Sequence, residues 1–233
     1  MRFIGVDMAS QPANTGLVVL ESSASSNALT VVDVRDRASD TDILAAITSA
    51  GEHILAIDAP LGWPIRFREQ MQDWTIAMWD DATRNDLIYR ATDRYVSTVL
   101  KLGNPLSVSA NLIAIPAMRT RALLTHLGIT ALDGTDGVYE TYPAASLRVW
   151  HLSSIPYKGR MGTSEGRRTL LQALGERWEL QGADEEQLTV NDHVLDALIC
   201  ALTAHEVLSH PREIPSEYRA VAREEGWIHV PTR

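Results

Sequence analysis

The stretch Arg2-Phe3-Ile4-Gly5-Val6-Asp7 decides the fold class: an apolar run begins almost at the N-terminus and ends on a carboxylate. A buried strand usually hands over to Gly, Asn or Ser, so an acid on a rigid strand end calls for a metal, a base or a helix N-terminus. Taken alone, Asp7 is equally readable as a turn residue bonding the next backbone N–H groups. Residues 16–21 read as a second strand after a turn with Pro12 and Asn14, and residues 29–34 as a third after a Ser-rich loop at 22–27. The three form an antiparallel set. A helix follows, capped by Asp40 or Thr41, with Ile43, Leu44, Ala46 and Ile47 as its apolar stripe. After Gly51, residues 53–58 make a fourth strand, and it also ends on Asp. Following a crossover helix, this strand runs parallel to the first. Neighbouring strand ends lie ~5 Å apart, so Asp7 and Asp58 can reach one metal ion.

Residues 59–130 contain no clear strand and read as a helical insertion at about 62–130, with helices over 84–102 and 117–127. Within it, Arg90, Asp93 and Arg94 share one helical face by their spacing. Two readings stand: a solvated salt-bridge ladder, or phosphate recognition by paired guanidinium groups. The run Asp133-Gly134-Thr135-Asp136-Gly137 is turn chemistry, and residues 138–142 form a fifth strand carrying Glu140 as a further candidate ligand. Residues 153–168, with Lys158 among several basic residues, read as a basic loop entering a helix; it suits a polyanion or simply a solvated surface.

The last strong element runs from Thr189 to Ala204. Thr189 and Asp192 have capping-box spacing, which gives Asp192 a structural reading. Asp196 has no such explanation: it sits inside an apolar helix, where an unpaired charge costs several kcal/mol, so it must be protonated, paired or metal-bound. Asp192 lies one turn earlier on the same face. A short helix and strand close the chain, and His205 and His210 lack the cysteine pair of a zinc finger.

Bulk properties limit the function. With 45% hydrophobic and 22% charged residues the 233-residue chain is an ordinary globular protein, read as one domain over 1–233. A net charge of -9 excludes electrostatic coating of nucleic acid, which needs clustered Lys and Arg, but not a nuclease with acidic catalytic groups. The lone Cys200 allows no intrachain disulfide or cysteine zinc site. Neither a secretory signal nor a run of ~20 apolar residues is present, so the expectation is a soluble cytoplasmic protein without a membrane partner.

The set Gly5-Val6-Asp7, Ile57-Asp58-Ala59-Pro60-Leu61-Gly62, Tyr89-Arg90-Ala91-Thr92-Asp93-Arg94, Tyr139-Glu140-Thr141-Tyr142-Pro143-Ala144 and Asp192-His193-Val194-Leu195-Asp196-Ala197-Leu198 resembles the domain-of-unknown-function 429 family, described as predicted ribonuclease H-like nucleases. The likeness covers nearly the whole chain, and the closing Asp196-Ala197-Leu198 also resembles the last helix of Holliday-junction resolvases. The resemblance implies an α/β, ribonuclease H-like fold: a mixed five-stranded sheet with flanking helices and the insertion between strands 4 and 5. It implies a nuclease binding Mg²⁺ or Mn²⁺ through Asp7, Asp58 and Asp196, with Asp192 and Glu140 completing the shell, and hydrolysing phosphodiesters of DNA or RNA by a two-metal mechanism. Arg90, Asp93, Arg94 and Lys158 would serve the substrate, and a homodimer is the assembly left open. Ribonuclease H itself uses a glutamate inside the first helix, where this chain has acids only at the start, Asp40 and Asp42. Two other classes compete: a phosphotransferase like the actin and sugar-kinase superfamily, whose only phosphate turn here would be 133–137, and a non-catalytic binding module on the same fold.

Overall fold

The computed structural model describes residues 1–23, 28–182 and 184–232, so residues 24–27 of the expected Ser-rich loop lie outside the described residues. In chain order the elements are β1 (Arg2–Asp7), β2 (Gly16–Ser22), β3 (Leu29–Arg35), α1 (Asp40–Ser49), β4 (His53–Asp58), α2 (Ile65–Gln72), α3 (Asp81–Ile88), α4 (Ala91–Arg94), α5 (Ala114–His126), β5 (Val138–Thr141), α6 (Pro143–Val149), α7 (Ser164–Arg177), β6 (Leu180–Gln181), α8 (Glu185–Leu188), α9 (Asp192–Ser209), α10 (Arg219–Glu225) and β7 (Ile228–His229). The strands form one mixed sheet in the order β6-β3-β2-β1-β4-β5-β7. The α/β class is as expected, but the sheet has seven strands rather than five. Of the two additions among the described residues, β7 is the expected closing strand, here joined to the edge of the sheet, and β6 is a two-residue edge strand too short to leave a period-two signal in the sequence.

β1 pairs antiparallel with β2, β2 antiparallel with β3, and β1 parallel with β4 in the register Asp7 opposite Asp58. Side chains alternate across a strand, which divides the sheet between two apolar cores. Phe3, Ile54 and Ala56 belong to the core under α9; Ile4, Val6, Leu55 and Ile57 belong to the opposite core, closed by Ile43 and Ile47 of α1 and Leu123 and Leu124 of α5. By the same alternation Asp7 and Asp58 continue the α9 face.

α9 is buried along its length from Val194 to Ala204 and lies across β1, β2 and β4. Glycine permits the close approach: a Cβ at Gly5 would collide with the Ala197 carbonyl, and one at Gly16 with the carbonyl of His193. Small residues on helix and strand therefore set the depth at which α9 carries its polar groups over the end of β1.

The caps differ from expectation in two places. Ser39, not Asp40 or Thr41, caps α1, forming a capping box with Asp42. Asn191, not Thr189, caps α9 by accepting from the Val194 N–H at 3.0 Å, while the Thr189 hydroxyl bonds back to Glu185 O. The helix expected over 84–102 is divided, because Arg90 is extended (φ -69°, ψ 164°) and starts α4, which continues as a π-helical turn over Tyr95–Val99. Among the described residues no helix is long and apolar enough to cross a membrane.

Candidate metal centre

Asp7 and Asp58 leave the C-terminal ends of adjacent parallel strands, and α9 brings Asp196 over them. Each of the three carboxylates offers an oxygen within 4.8 Å of the others. The Asp196 oxygens are both engaged: the Tyr157 hydroxyl donates to Oδ1 at 2.6 Å and the Lys158 ammonium to Oδ2 at 2.8 Å. On Asp7, Oδ2 pairs with His193 Nδ1 at 2.7 Å. Among the described residues, no side chain or backbone N–H donates to Asp58 or to the second oxygen of Asp7.

This shortage of donors has an electrostatic consequence. Burial, with repulsion from Asp196 added, raises the Asp7 pKa to about 6 although the His193 bond opposes it. Burial, then repulsion from Asp7 and Asp196, pushes Asp58 well above the usual carboxylate range. The Asp7 bond raises His193 in turn, against its own partial burial. For Lys158, burial disfavours the ammonium, but contact with Asp196 outweighs it and raises the pKa. The cluster thus carries more negative charge than its surroundings neutralise, and hard carboxylate oxygens in that state suit Mg²⁺ or Mn²⁺. The residues fit such an ion: Asp7, Asp58 and Asp196 would hold it.

The cluster opens into a cleft of about 260 Å³ whose walls are largely apolar, with Met8, Pro60, Pro105, Leu106, Ile113 and Pro116 beside Asp7, Asp58 and Lys158. Asp192, first in α9, is outside the group of three, and its negative charge helps to raise His193. Glu140 lines the cleft but belongs to a different set of bonds. Its register partner on β4 is Ile57, not Asp58, so by alternation it continues the face opposite to that of Asp58. There the Arg90 guanidinium grips both Glu140 oxygens at 2.6 and 2.7 Å, and Leu61 N–H adds a bond at 3.0 Å.

Arg90 is 1% exposed and also holds Asp93, at 2.8 Å, so its charge is spent inside the protein. Arg94 is exposed, pairs with Asp86 at 2.9 Å and lines a separate depression with Asn85, Tyr89 and Ser97. The shared helical face expected for Arg90, Asp93 and Arg94 is absent, because Arg90 precedes the helix as its cap. Of the residues expected to meet substrate, Lys158 is the one set against the carboxylate group. The turn Asp133–Gly137 is closed on itself by Asp133 bonds to Thr135 and leads into β5; it lines no part of the cleft.

Three participants were not singled out from sequence. His193 stands three residues before Asp196, a spacing that shares a helical face and could have flagged it. Tyr157 adjoins Lys158 but carried no signal of its own. Glu225, whose oxygens accept from the Ile65 and Ala91 N–H groups at 2.8 Å each, joins the Arg90 network from 135 residues away, and no local pattern marks it.

Fold and site define a mixed α/β protein with three carboxylates converging from two parallel strand ends and one buried helix. The chain belongs to a family of proteins of unknown function, DUF429, whose model matches residues 5–217. Neither a curated protein nor a solved structure matches it.

Proposed function

We propose that the protein is a divalent-metal-dependent nuclease of the ribonuclease H-like type, hydrolysing phosphodiester bonds of nucleic acid. The observation that carries this reading is the convergence of Asp7, Asp58 and Asp196 in one donor-poor group, of which Asp7 and Asp58 line a cleft. Mg²⁺ or Mn²⁺ bound there would supply Lewis acidity toward a phosphoryl oxygen. Asp7 and Asp58 present free carboxylate oxygens on rigid strand ends, which fixes the geometry of what they hold. His193 orients Asp7, and Tyr157 with Lys158 orients Asp196, as outer partners of ligating carboxylates do. The apolar cleft wall excludes water around the reacting phosphate and strengthens every charge interaction within.

Calorimetric titration with Mn²⁺ and Mg²⁺, followed by assay of a panel of single- and double-stranded DNA and RNA, tests the proposal. Wild type binds metal and cleaves at least one form, and Asp7→Asn does neither. Absence of metal binding by wild type, or cleavage that survives Asp7→Asn, would end this reading. ATP turnover without cleavage would instead favour a phosphotransferase.

A further inference from the structure

The metal-dependent reading, on which this inference rests, leaves open how many cations the carboxylates take. The bonds already made decide it. Both oxygens of Asp196 are occupied by Tyr157 and Lys158, so the carboxylate oxygens without a donor are those of Asp58 and one of Asp7. They stand on one side of the cluster, at adjacent strand ends, while the Lys158 ammonium stands 2.8 Å from the third carboxylate. Three carboxylates against the Lys158 ammonium, with the His193 imidazole bonded to Asp7, leave at most two negative charges, no more than a single divalent ion carries. A second divalent ion would have to crowd onto Asp196 beside both the first ion and the Lys158 ammonium, against Coulomb repulsion that a partly buried site does not screen.

We propose that Lys158 is the built-in second cation of this centre, so that the protein binds one divalent ion where a two-metal site would bind two. The ammonium reaches Asp196 from the rim, its side chain 41% exposed beside an Asp196 side chain that is 6% exposed. The lysine therefore fills a position open to the cleft and can meet a substrate phosphate while neutralising Asp196. This is positioning and charge chemistry by a protein group in place of a second ion.

The test is Mn²⁺ stoichiometry, read by electron paramagnetic resonance and equilibrium dialysis on the full chain. Wild type binds one Mn²⁺ with an uncoupled spectrum. Lys158→Met binds two, and its spectrum shows the spin coupling of ions about 4 Å apart. Lys158→Arg keeps the charge and stays at one. Thermal melts of the variants confirm that each is folded, and Lys158→Gln, which keeps a polar contact to Asp196, stands in for Lys158→Met if that variant unfolds. Two coupled Mn²⁺ ions in wild type, or a single ion in the folded neutral variant, overturns the inference while leaving the metal centre intact. No Mn²⁺ bound by wild type overturns the metal centre itself.

Discussion

Two carboxylate clusters, one buried and one partly buried, lie close together in this protein, and they differ in what answers their charge. Around Arg90, the six oxygens of Asp93, Glu140 and Glu225 all accept a hydrogen bond, from the guanidinium or from the N–H groups of Leu61, Ile65, Arg90 and Ala91. Around Asp7, Asp58 and Asp196, three of six oxygens have a donor. The first cluster is closed and ties β5 to α4 and to the end of α10. The second is open and mutually repelling, and its Asp7 and Asp58 line a cleft. Acids whose every oxygen is bonded form a structural tie; acids left without donors are what single out the second cluster as the candidate site.

The comparison breaks hardest at Arg90. Arg90→Met leaves the Glu140 and Asp93 carboxylates buried without their partner, a loss of about 3–5 kcal/mol expected in urea denaturation. If stability is unchanged, the closed cluster is not a structural tie. A third buried group, His229, sharpens the contrast by showing what a titratable side chain does when burial outweighs the groups that answer its charge, here a backbone bond at Asp133 and the Asp133 carboxylate. It is stacked on Tyr139, its Nε2 has no partner, and burial lowers its pKa to about 4. The unfolded chain takes up this proton near pH 6.5 and the folded one only near 4, so stability is full above 6.5 and falls as pH drops through that window. The loss reaches about 3 kcal/mol. Denaturation curves from pH 7 to 4 should show the difference between wild type and His229→Phe, and parallel curves would contradict it.

Gly5→Ala attacks the open cluster from beneath. The added methyl meets the Ala197 carbonyl, forcing α9 outward at about 1–3 kcal/mol and drawing Asp196 away from Asp7. Lower stability together with weaker Mn²⁺ binding is expected; weaker stability alone would mean that α9 depth does not set the cluster. The smallest effect has the opposite sign to that at Arg90. In metal-free protein at pH 7, Asp58→Asn removes a carboxylate whose pKa is raised by burial and by its neighbours, and so raises the melting temperature by a few degrees. A lowered melting temperature would show that Asp58 has a stabilising partner.

Much of the open cluster was legible in the sequence, for physical reasons. Two strands ending on Asp, joined by one crossover helix, constrain Asp7 and Asp58 to one edge, and the register places them opposite each other. Asp196 was legible because an ionisable residue within an apolar helix needs a partner. Glu140 was harder to place: its acid is visible, but the face it points to depends on a register that only pairing with β4 fixes. Arg90 and Asp93 have helical spacing in sequence, yet Arg90 ends up extended because capping by Asp93 and the long-range pull of Glu140 outweigh continuation of the helix. The edge strand β6, the pairing of the expected closing strand β7 with β5, and the reach of Glu225 depend on tertiary contacts between distant segments.

The most direct test is anomalous diffraction from crystals of the protein soaked in Mn²⁺. The account predicts density bounded by Asp7, Asp58 and Asp196 and none among Arg90, Asp93, Glu140 and Glu225. Density in the Arg90 cluster, or none beside Asp7 at saturating Mn²⁺, would contradict it.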